Sequence, residues 1–499
     1  MMCSGCATWQ VFVVVVAVGL VGLVCNYLAI SESLAPSAPP STLPPRYTVP
    51  AAALTPRPPR TRNTSIVFDT VFNVTTAYTP KFPGADRGIV LCLHNHNVPM
   101  GASLLQELRA LGNYDPVQVY HCLPEELATV SRDLLASDPL VEIIDVCSLL
   151  LSTPLFPPST SVREFQSFWL KPLALLFSSF DQVMLLDADD IFFENPSTLW
   201  ASLSYTETGT LFFYDRVVNA SMFLNTAVTM YASDGAETNV TYIKQLFAQV
   251  FPLKELGFPH PHAPSPQLQA SMVWRGHSAH EQDSSVVLID KVRAGPNVLR
   301  ALFVLITSTR FVDPGFSWGD KEAFWLAYEL VGQPYAFSPW ACSVVNLAND
   351  LTRHNDTLCG SLAHYNPNSS NASLLYINGR DIIDPYKSRR DHRVLWGDRY
   401  HRLLEALPTH VTPRSRRHLS LGERGDLDQA CLIGEGAAAF ATNATQHRLA
   451  QRVQWSLEVA RTIQSAFSDE DFPLGVFLLA VTFAVGSPIA CLVLCMDDA

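Results

Sequence analysis

At 499 residues, 48% of them hydrophobic, the chain is long enough for one large α/β domain with additions or for several ordinary domains. Its formal net charge is −12, and the sequence contains no block of Lys and Arg. This charge balance argues against nucleic acid as a partner.

The first predicted element is a membrane span at residues 8–30, which contain no Lys, Arg, Asp or Glu. At helical rise this length crosses a bilayer. A cleaved signal peptide is the alternative, but the basic n-region is missing and the segment is long for an h-region. We therefore predict a short cytosolic tail at 1–7 and an uncleaved signal anchor. The arginines follow the span, so the positive-inside rule alone would place the body in the cytosol.

Residues 31–62 are rich in Pro, Ala, Ser and Thr and predict an extended stem that cannot bury a core. The folded body is predicted at 63–419, with an insertion at about 217–280 where the apolar pattern weakens. Residues 420–471 predict a linker-like helical tail. Residues 472–496 again lack charge and predict a second span, for which a glycolipid-anchor signal is a poorer alternative because the chain ends in acidic residues.

Glycosylation sequons outweigh the positive-inside rule and favour a lumenal body in the Golgi or another endomembrane. The acceptor residues are Asn63, Asn73, Asn219, Asn239, Asn355, Asn368, Asn371 and Asn443. An even set of cysteines in the body is compatible with disulfides in an oxidising compartment. Among Cys92, Cys122, Cys147, Cys342, Cys359 and Cys431, the pair predicted first is Cys342 with Cys359.

The body opens with a predicted strand at 89–93, a helix at 102–111 and a strand at 116–122. This order is typical of a nucleotide-binding α/β unit with a mostly parallel sheet. The glycine-rich dinucleotide pattern and the P-loop pattern are both missing. A strand at 141–146 and a helix at 163–178, which carries Lys171, follow.

The stretch 180–196 carries the strongest functional signal. An apolar run at 183–186 predicts a buried strand and ends in Asp187, Ala188, Asp189 and Asp190. Ligands of open α/β sheets bind beyond the carboxyl ends of the strands. Clustered carboxylates there suit a hard divalent cation bound together with a phosphate-bearing substrate. The alternative is a surface turn that merely ends the strand.

Further along the chain, polar clusters again adjoin predicted elements. We predict a helix at 196–203, strands at 208–216, 285–289 and 335–345, a helix running from about 318 to 331, and a helix at 446–468. The strand at 208–216 ends in Asp215 and Arg216. Residues 359–380 contain His364 and a further apolar run at 374–377.

Four motifs together resemble the fungal-type Golgi α-mannosyltransferases, the alpha-1,3- and alpha-1,2-mannosyltransferase family of GT-A-type glycosyltransferases. They occur in family order at 180–190, 208–216, 282–291 and 319–325, and the likeness spans roughly 88–380. The second span and the long insertion depart from the family. The resemblance implies retaining transfer of mannose from GDP-mannose to a glycoprotein or glycolipid glycan, with Mn²⁺ or Mg²⁺ at the diphosphate.

Site roles are assigned residue by residue on this resemblance. Asp189 is the first choice as a direct metal ligand, Asp187 would bind the metal or the ribose, and Asp190 could assist. His364 is the predicted third ligand, with Asn378 a weaker candidate, although a lone His is often structural. Lys171, Asp215 and Arg216 would bind the donor, with Lys171 and Arg216 at its diphosphate. The alternative for Lys171 and Arg216 is an ordinary surface ion pair. Gln282 or Asp283 would face the reacting carbon, and Asp320 and Glu322 would hold acceptor hydroxyls unless they only cap a helix.

Two other functions stay open on the sequence. One is a retaining GT-A transferase that uses a UDP-sugar, because the acidic motif is shared across sugar donors. The other is a non-catalytic, glycan-binding membrane glycoprotein, against which the combination of Asp187, Asp189 and the cluster at 319–322 speaks.

Overall fold

The computed structural model describes residues 78–151, 153–155, 161–232, 234–258, 263–353, 356–386, 396–418, 429–440 and 442–470. The predicted spans at 8–30 and 472–496, the stem, and the sequons at Asn63, Asn73 and Asn355 lie outside these residues. Among the helices that are described, none has both the length and the apolar character that a membrane span requires.

The strands within the described residues are Arg87–Cys92 (β1), Val117–His121 (β2), Val141–Asp145 (β3), Gln182–Leu186 (β4), Asp190–Phe192 (β5), Thr210–Tyr214 (β6), Ala227–Tyr231 (β7), Glu237–Thr241 (β8), Gln282–Asp290 (β9), Ser343–Asn346 (β10), Leu358–Cys359 (β11), Ser361–Tyr365 (β12), Leu374–Asn378 (β13), His410–Val411 (β14), Cys431–Leu432 (β15) and Ala438–Ala439 (β16).

The helices are Val98–Ala110 (α1), Thr129–Ala136 (α2), Val146–Leu151 (α3), Leu170–Phe177 (α4), Leu203–Thr208 (α5), Tyr242–Gln245 (α6), Pro266–Ala270 (α7), Lys291–Thr307 (α8), Ala323–Val331 (α9), Asn349–Arg353 (α10), Arg380–Ile383 (α11), Trp396–Glu405 (α12) and Asn443–Glu470 (α13). Short 3₁₀ segments occur at Pro124–Glu126, Val162–Phe165, Pro196–Ala201, Phe223–Asn225 and Thr309–Phe311, and a π-helical turn at Leu246–Val250.

The central sheet has the strand order β3-β2-β1-β4-β9-β6. Strands β3, β2, β1 and β4 are parallel, β9 is antiparallel to β4, and β6 is antiparallel to β9. Every strand except β9 therefore runs in one direction. The prediction of a mixed α/β fold with a mostly parallel sheet is confirmed.

Both faces of the central sheet are covered by apolar side chains. In β4, Val183 and Leu185 belong to one buried cluster, and Met184 and Leu186 belong to the other. The first cluster includes residues of α4, α8 and α9, and the second includes residues of α1 and α13. A strand that is apolar on both faces is what a buried parallel sheet requires.

A second, antiparallel sheet has the order β16-β14-β10-β12-β13-β5. Its strand β5 begins at Asp190 and pairs with β13, where Asp190 lies opposite Asn378. The chain therefore passes from the central sheet to the second sheet within residues 187–190, which we call the acidic turn. This crossing fixes the turn at both ends.

Several predicted boundaries need correction. Helix α8 was not predicted from the sequence, because Gly295, which adopts a φ of 74°, and the following Pro296 interrupt the helical pattern. The predicted strand at 335–345 is reduced to β10, and the predicted helix at 163–178 is a 3₁₀ turn followed by α4. The predicted insertion holds the β7–β8 hairpin and short helices.

The predicted helical tail is part of the core. Helix α13 packs against α1 and buries Leu449, Val453 and Leu457 in the cluster beneath the sheet. A linker would leave these side chains in water, whereas burial of each contributes about 1.5–3 kcal/mol. The interpretation of this segment as a linker was therefore wrong.

The predicted disulfide between Cys342 and Cys359 is also wrong. Cys359 pairs with Cys431, Cys122 pairs with Cys147, and Cys342 is a buried free thiol. The Cys359–Cys431 bond joins β11 to β15, which also pair through their backbones.

Candidate active site

The predicted site residues gather where β4 ends. Because β9 is antiparallel to β4, its start lies beside the end of β4: Leu186 pairs with Val286, and the Asp187 N–H donates to the Ser285 carbonyl at 2.9 Å. The end of β6 joins the same edge, since Tyr214 pairs with Gln282. One edge of the sheet therefore carries the acidic turn and the flanking motifs.

Asp190 shapes the acidic turn from within. It is fully buried, one carboxylate oxygen accepts the Asp187 N–H at 3.0 Å, and the other accepts the Asn378 amide at 3.1 Å. Asn378 also donates to Asp189, at 3.4 Å. Asp190 and Asn378 are thus engaged with each other, so their predicted assisting roles at a metal give way to structural ones, while Asp187 and Asp189 stay partly exposed.

Lys171 lies between two carboxylates. Its ammonium is 2.7 Å from Asp187 Oδ1 and 3.2 Å from Asp320 Oδ2, and it donates to the Ser284 carbonyl at 3.0 Å. Burial alone would lower the pKa of Lys171, but Asp187 and Asp320 raise it above its ordinary value. Lys171 is therefore a permanent cation within the acidic site. Its predicted role at the diphosphate stays a prediction.

The carboxylates of the turn are crowded. Burial, followed by the charges of Asp189 and Asp320, raises the pKa of Asp187 to about 7 even though Lys171 lowers it. Burial, followed by the charges of Asp187 and Asp189, raises the pKa of Asp190 well above its ordinary value. The site therefore holds more negative charge than Lys171 offsets, and a bound cation would relieve it.

His364 binds Asp283 directly. Its Nε2 lies 2.8 Å from Asp283 Oδ2, and its ring stacks on Tyr376 with the centroids 4.9 Å apart. Burial would raise the pKa of Asp283, but the hydrogen bond and charge of His364 hold it below its ordinary value. Ser285 also donates to Asp283, at 2.6 Å.

The structure does not assemble the predicted three-ligand metal site. Within the described ranges, no group of three or more His, Cys, Asp or Glu side chains is arranged to hold a metal ion. Because the Nε2 of His364 is paired with Asp283, His364 is a partner of that carboxylate rather than of Asp187 and Asp189.

Glu322 has a structural role. It is fully buried, and its carboxylate accepts the N–H groups of Glu281 at 3.1 Å and Gln282 at 3.3 Å and the indole N–H of Trp325 at 2.7 Å. Its predicted contact with acceptor hydroxyls is therefore not available. Gln282 differs, because both polar atoms of its buried side-chain amide lack a hydrogen-bond partner among the described residues. A buried unpaired amide is costly, and such a group is satisfied when a ligand binds.

Asp215 and Arg216 lie at the end of β6 beside a cavity. Lys321 donates to Asp215 at 2.7 Å and, with the further charge of Arg216, holds the pKa of Asp215 below its ordinary value against the opposing effect of burial. The Arg216 guanidinium donates to the Gly360 carbonyl at 3.3 Å, and the Arg216 backbone N–H donates to Asp215 Oδ1 at 2.8 Å. Lys321 was not singled out from the sequence, although it lies within the motif at 319–325.

Two cavities adjoin this edge and share Arg417. One has a volume of about 250 Å³ and is lined by Asp215, Arg216 and Arg417. The other has a volume of about 160 Å³ and contains an aromatic wall that includes Tyr214, Trp325 and Phe337. Arg417 is held by the carbonyls of His280, at 2.8 Å, and Glu281, at 2.6 Å. Sequence reasoning missed Arg417, because nothing in its local sequence points to a site formed by distant segments.

Comparison with known proteins identifies the family to which these residues belong. A family model described as "Mannosyltransferase putative" matches residues 86–366, which are more than half of the chain. The chain belongs to this family. The resemblance inferred from the four motifs is therefore confirmed. The matched residues include the acidic turn, Lys171, Gln282 and His364, and they end before α13.

The chain is similar to yeast proteins over the same body. The alpha-1,3-mannosyltransferase MNT3 of Saccharomyces cerevisiae is 25% identical over 313 residues, with 59% of this chain and 46% of MNT3 covered. The alpha-1,3-mannosyltransferase MNT2 of the same yeast is 25% identical over 314 residues, with 59% and 51% covered. The chain thus spans about half the length of these relatives. The solved structure of the S. cerevisiae mannosyltransferase Ktr4p in complex with GDP matches at 12% identity and a TM-score of 0.30, covering 55% of this chain and 71% of that one.

Proposed function

We propose that this protein is a GT-A-type glycosyltransferase that transfers mannose from GDP-mannose to a glycan of a glycoprotein or glycolipid, with retention and with a divalent cation. The observation that carries the proposal is the acidic turn. Asp187 and Asp189 end a buried parallel strand within the family's matched region, with side chains partly open to solvent. Family membership supports mannose as the transferred sugar.

The donor set of the turn fits Mn²⁺ or Mg²⁺. Carboxylate oxygens are the ligands that hard cations prefer, and Mg²⁺ is commonly held by one or two carboxylates together with substrate phosphates. Asp187 and Asp189 supply such a pair, and the surplus negative charge described above favours a cation there. When bound, the ion would neutralise the charge that develops on the departing diphosphate.

We infer from the sheet topology that the two substrates bind in different places. Strand order reverses between β1 and β4, and in open α/β sheets nucleotides bind at such a switch point. We place the GDP moiety there, between the loop that follows β1 and the acidic turn. The cavities at the end of β6 and the start of β9 lie on the other side of β4, and we place the acceptor glycan in them.

These cavities suit a saccharide. The ring of Tyr214 stacks on Phe337 with the centroids 4.4 Å apart, and the Arg417 guanidinium lies 5.0 Å from the Tyr214 ring. Binding pockets typically combine such apolar walls with a few fixed polar groups. The guanidinium groups of Arg216 and Arg417 would donate hydrogen bonds to sugar hydroxyls, while the aromatic wall would contact the apolar face of a sugar ring.

Gln282 is the residue we place at the transferred sugar. Its amide is buried and unpaired, whereas the neighbouring Asp283 is bound by both His364 and Ser285. Asp283 is therefore positioned by its partners and is a poorer candidate for direct attack on the sugar. No nucleophile is assigned, since transfer on one face of the donor requires no dedicated base beyond the leaving phosphate.

A lumenal location in the Golgi or another endomembrane is part of the proposal. The two disulfides are typical of oxidising compartments. The sequon residues within the described ranges are exposed at the surface, as glycosylation requires: Asn219, Asn239, Asn368, Asn371 and Asn443.

The test is sugar-nucleotide hydrolysis by the purified body, residues 63–470, with GDP-mannose and UDP-sugars, each with Mn²⁺ or with chelator. We expect Mn²⁺-dependent turnover of GDP-mannose. Turnover of a UDP-sugar instead would preserve the fold and contradict the mannosyl assignment. If no donor is turned over and no nucleotide binds with Mn²⁺, the protein is not a transferase of this kind, and glycan binding without catalysis becomes the better explanation.

A further inference from the structure

A buried arginine connects the C-terminal helix to the acidic turn. Arg452 lies on the apolar face of α13, is fully buried, and is flanked along the helix by Leu449 and Val453. A guanidinium remains charged in proteins and is expensive to bury unless its donors are satisfied. Its partners therefore indicate what it is there to hold.

The partners of Arg452 lie on two elements that are distant in sequence. Nη2 donates to the carbonyls of Ala188 and Asp190, each at 3.2 Å. Nη1 donates to the Met100 carbonyl of α1 at 3.0 Å and to the Ser103 hydroxyl. One planar group thus bonds the backbone of the acidic turn and the first two turns of α1 at the same time.

Glu107 of α1 completes the arrangement. Its Oε2 lies 3.5 Å from Arg452 Nε and accepts the N–H of Phe192 at 2.9 Å. The buried pair therefore holds a carbonyl within the turn, the carbonyl at its end, and an N–H of β5. These bonds restrain the backbone that carries Asp187 and Asp189 from the side of the core.

We propose that Arg452 is a positioning residue that fixes the acidic turn for cation and donor binding, which makes α13 part of the donor site although it lies beyond the family's matched region. Arg452 does not touch the substrates. It acts through the carbonyls of Ala188 and Asp190. The inference rests on the proposed function only in naming what the turn binds, whereas the restraint of the turn stands on the contacts alone.

The test compares Arg452→Lys and Arg452→Met with the matched changes at Arg461, which lies on the exposed side of the same helix. Lysine keeps the charge but cannot bond two carbonyls and α1 together, and methionine keeps only the stem. Hydrogen exchange is measured on a peptide that covers residues 183–195. Because hydrogen bonds to a charged group are lost, we expect amides 187–192 to exchange at least about tenfold faster in both Arg452 variants. The Arg461 variants should exchange like the wild type.

The second readout is calorimetric binding of GDP in the presence of Mn²⁺. Loss of a group that orients metal ligands typically costs about 10- to 100-fold in affinity, and we expect a loss of that size for Arg452→Lys. If Arg452→Met does not fold, the lysine variant carries the test. Unchanged exchange of the turn together with unchanged GDP affinity would overturn the inference and leave Arg452 a stabilising residue only. If the wild type itself does not bind GDP, the proposed function fails, while the exchange experiment still decides whether Arg452 restrains the turn.

Discussion

At the scale of single residues, Asp189 stands out because its carboxylate has the weakest protein partner in the turn, the Asn378 amide at 3.4 Å. Asp187 is paired with Lys171, and the buried carboxylate of Asp190 accepts the N–H of Asp187. We expect Asp189→Asn to lower Mn²⁺-dependent donor hydrolysis by more than about 100-fold, beyond the usual effect of an indirect metal contact. Asp234→Asn, in the exposed turn of the β7–β8 hairpin, is the matched control. Equal activity in the two variants would exclude Asp189 as a ligand.

Asp187 makes binding depend on pH. Its pKa of about 7 means that it must release a proton before it binds a cation, so affinity should fall as the pH falls through 7. Below that value we expect the affinity for GDP with Mn²⁺ to fall by up to about tenfold per pH unit. Calorimetry from acidic to mildly alkaline pH measures this. Asp187→Asn should bind weakly at every pH, and a wild-type profile that is flat across neutrality would contradict the assignment.

The same carboxyl influences stability in the absence of metal. A folded-state pKa raised above the unfolded value stabilises the protein at low pH, and this contribution is lost as the pH rises through about 7. The cation-free protein should therefore lose this contribution between about pH 4, the ordinary value, and pH 7. Asp187→Asn should lack this component in thermal melts recorded across the window.

His364 gives a prediction that separates two roles. The Nε2 of His364 binds Asp283. His364→Gln therefore preserves a hydrogen-bonding N–H group near that position, whereas His364→Phe removes it. We expect the glutamine variant to need the same Mn²⁺ concentration as the wild type for half-maximal hydrolysis. Its turnover number for GDP-mannose hydrolysis should differ from that of the wild type. A shift in the Mn²⁺ requirement with unchanged turnover would instead identify His364 as a metal ligand.

At the scale of elements, the disulfide between β11 and β15 adjoins the larger cavity, which Cys431 and Leu432 help to line. It closes a segment with a sequence separation of 72 residues, for which chain entropy predicts a stabilisation of about 4 kcal/mol. Cys359→Ser should therefore lower the free energy of unfolding by about this amount, which denaturant titration would measure. Cys342→Ser should leave the Cys359–Cys431 bond intact, which peptide mapping under non-reducing conditions would show. A mapped bond between Cys342 and Cys359 would contradict the structure.

The elements also show what the sequence could and could not predict. The strand at 183–186 and the acidic residues after it were found because a short apolar run has a local signature. The partners of Glu322 and His364 were not predicted, because they lie at Gln282 and Asp283, about 40 and 81 residues away. The same limit hid Arg452, which contacts the turn across more than 260 residues. Local pattern predicts the element, and the fold decides which polar groups meet.

At the scale of the whole molecule, the acidic turn is the junction between two sheets. It leaves the central sheet at β4, enters the second sheet at β5 and is held from the core by α13. Elements from the start, the middle and the end of the described body therefore converge on one backbone segment. For this reason a truncation that removes α13 is expected to disturb donor binding as well as stability.

Two features of the sequence predict opposite sides of a membrane for the body: the arginines after residue 30 predict the cytosolic side, and the sequons predict the lumenal side. Transfer of glycans to sequons requires a lumenal body. We expect the full chain made in eukaryotic cells to lose mass on treatment with an endoglycosidase that removes N-glycans. Asn239→Gln, in the exposed strand β8, should reduce the mass lost on treatment by that of one N-glycan. Asn225→Gln, which is not in a sequon, should leave the mass loss unchanged. A chain whose mass does not change on this treatment would place the body in the cytosol and would leave the disulfides and the proposed glycan acceptor without a suitable compartment.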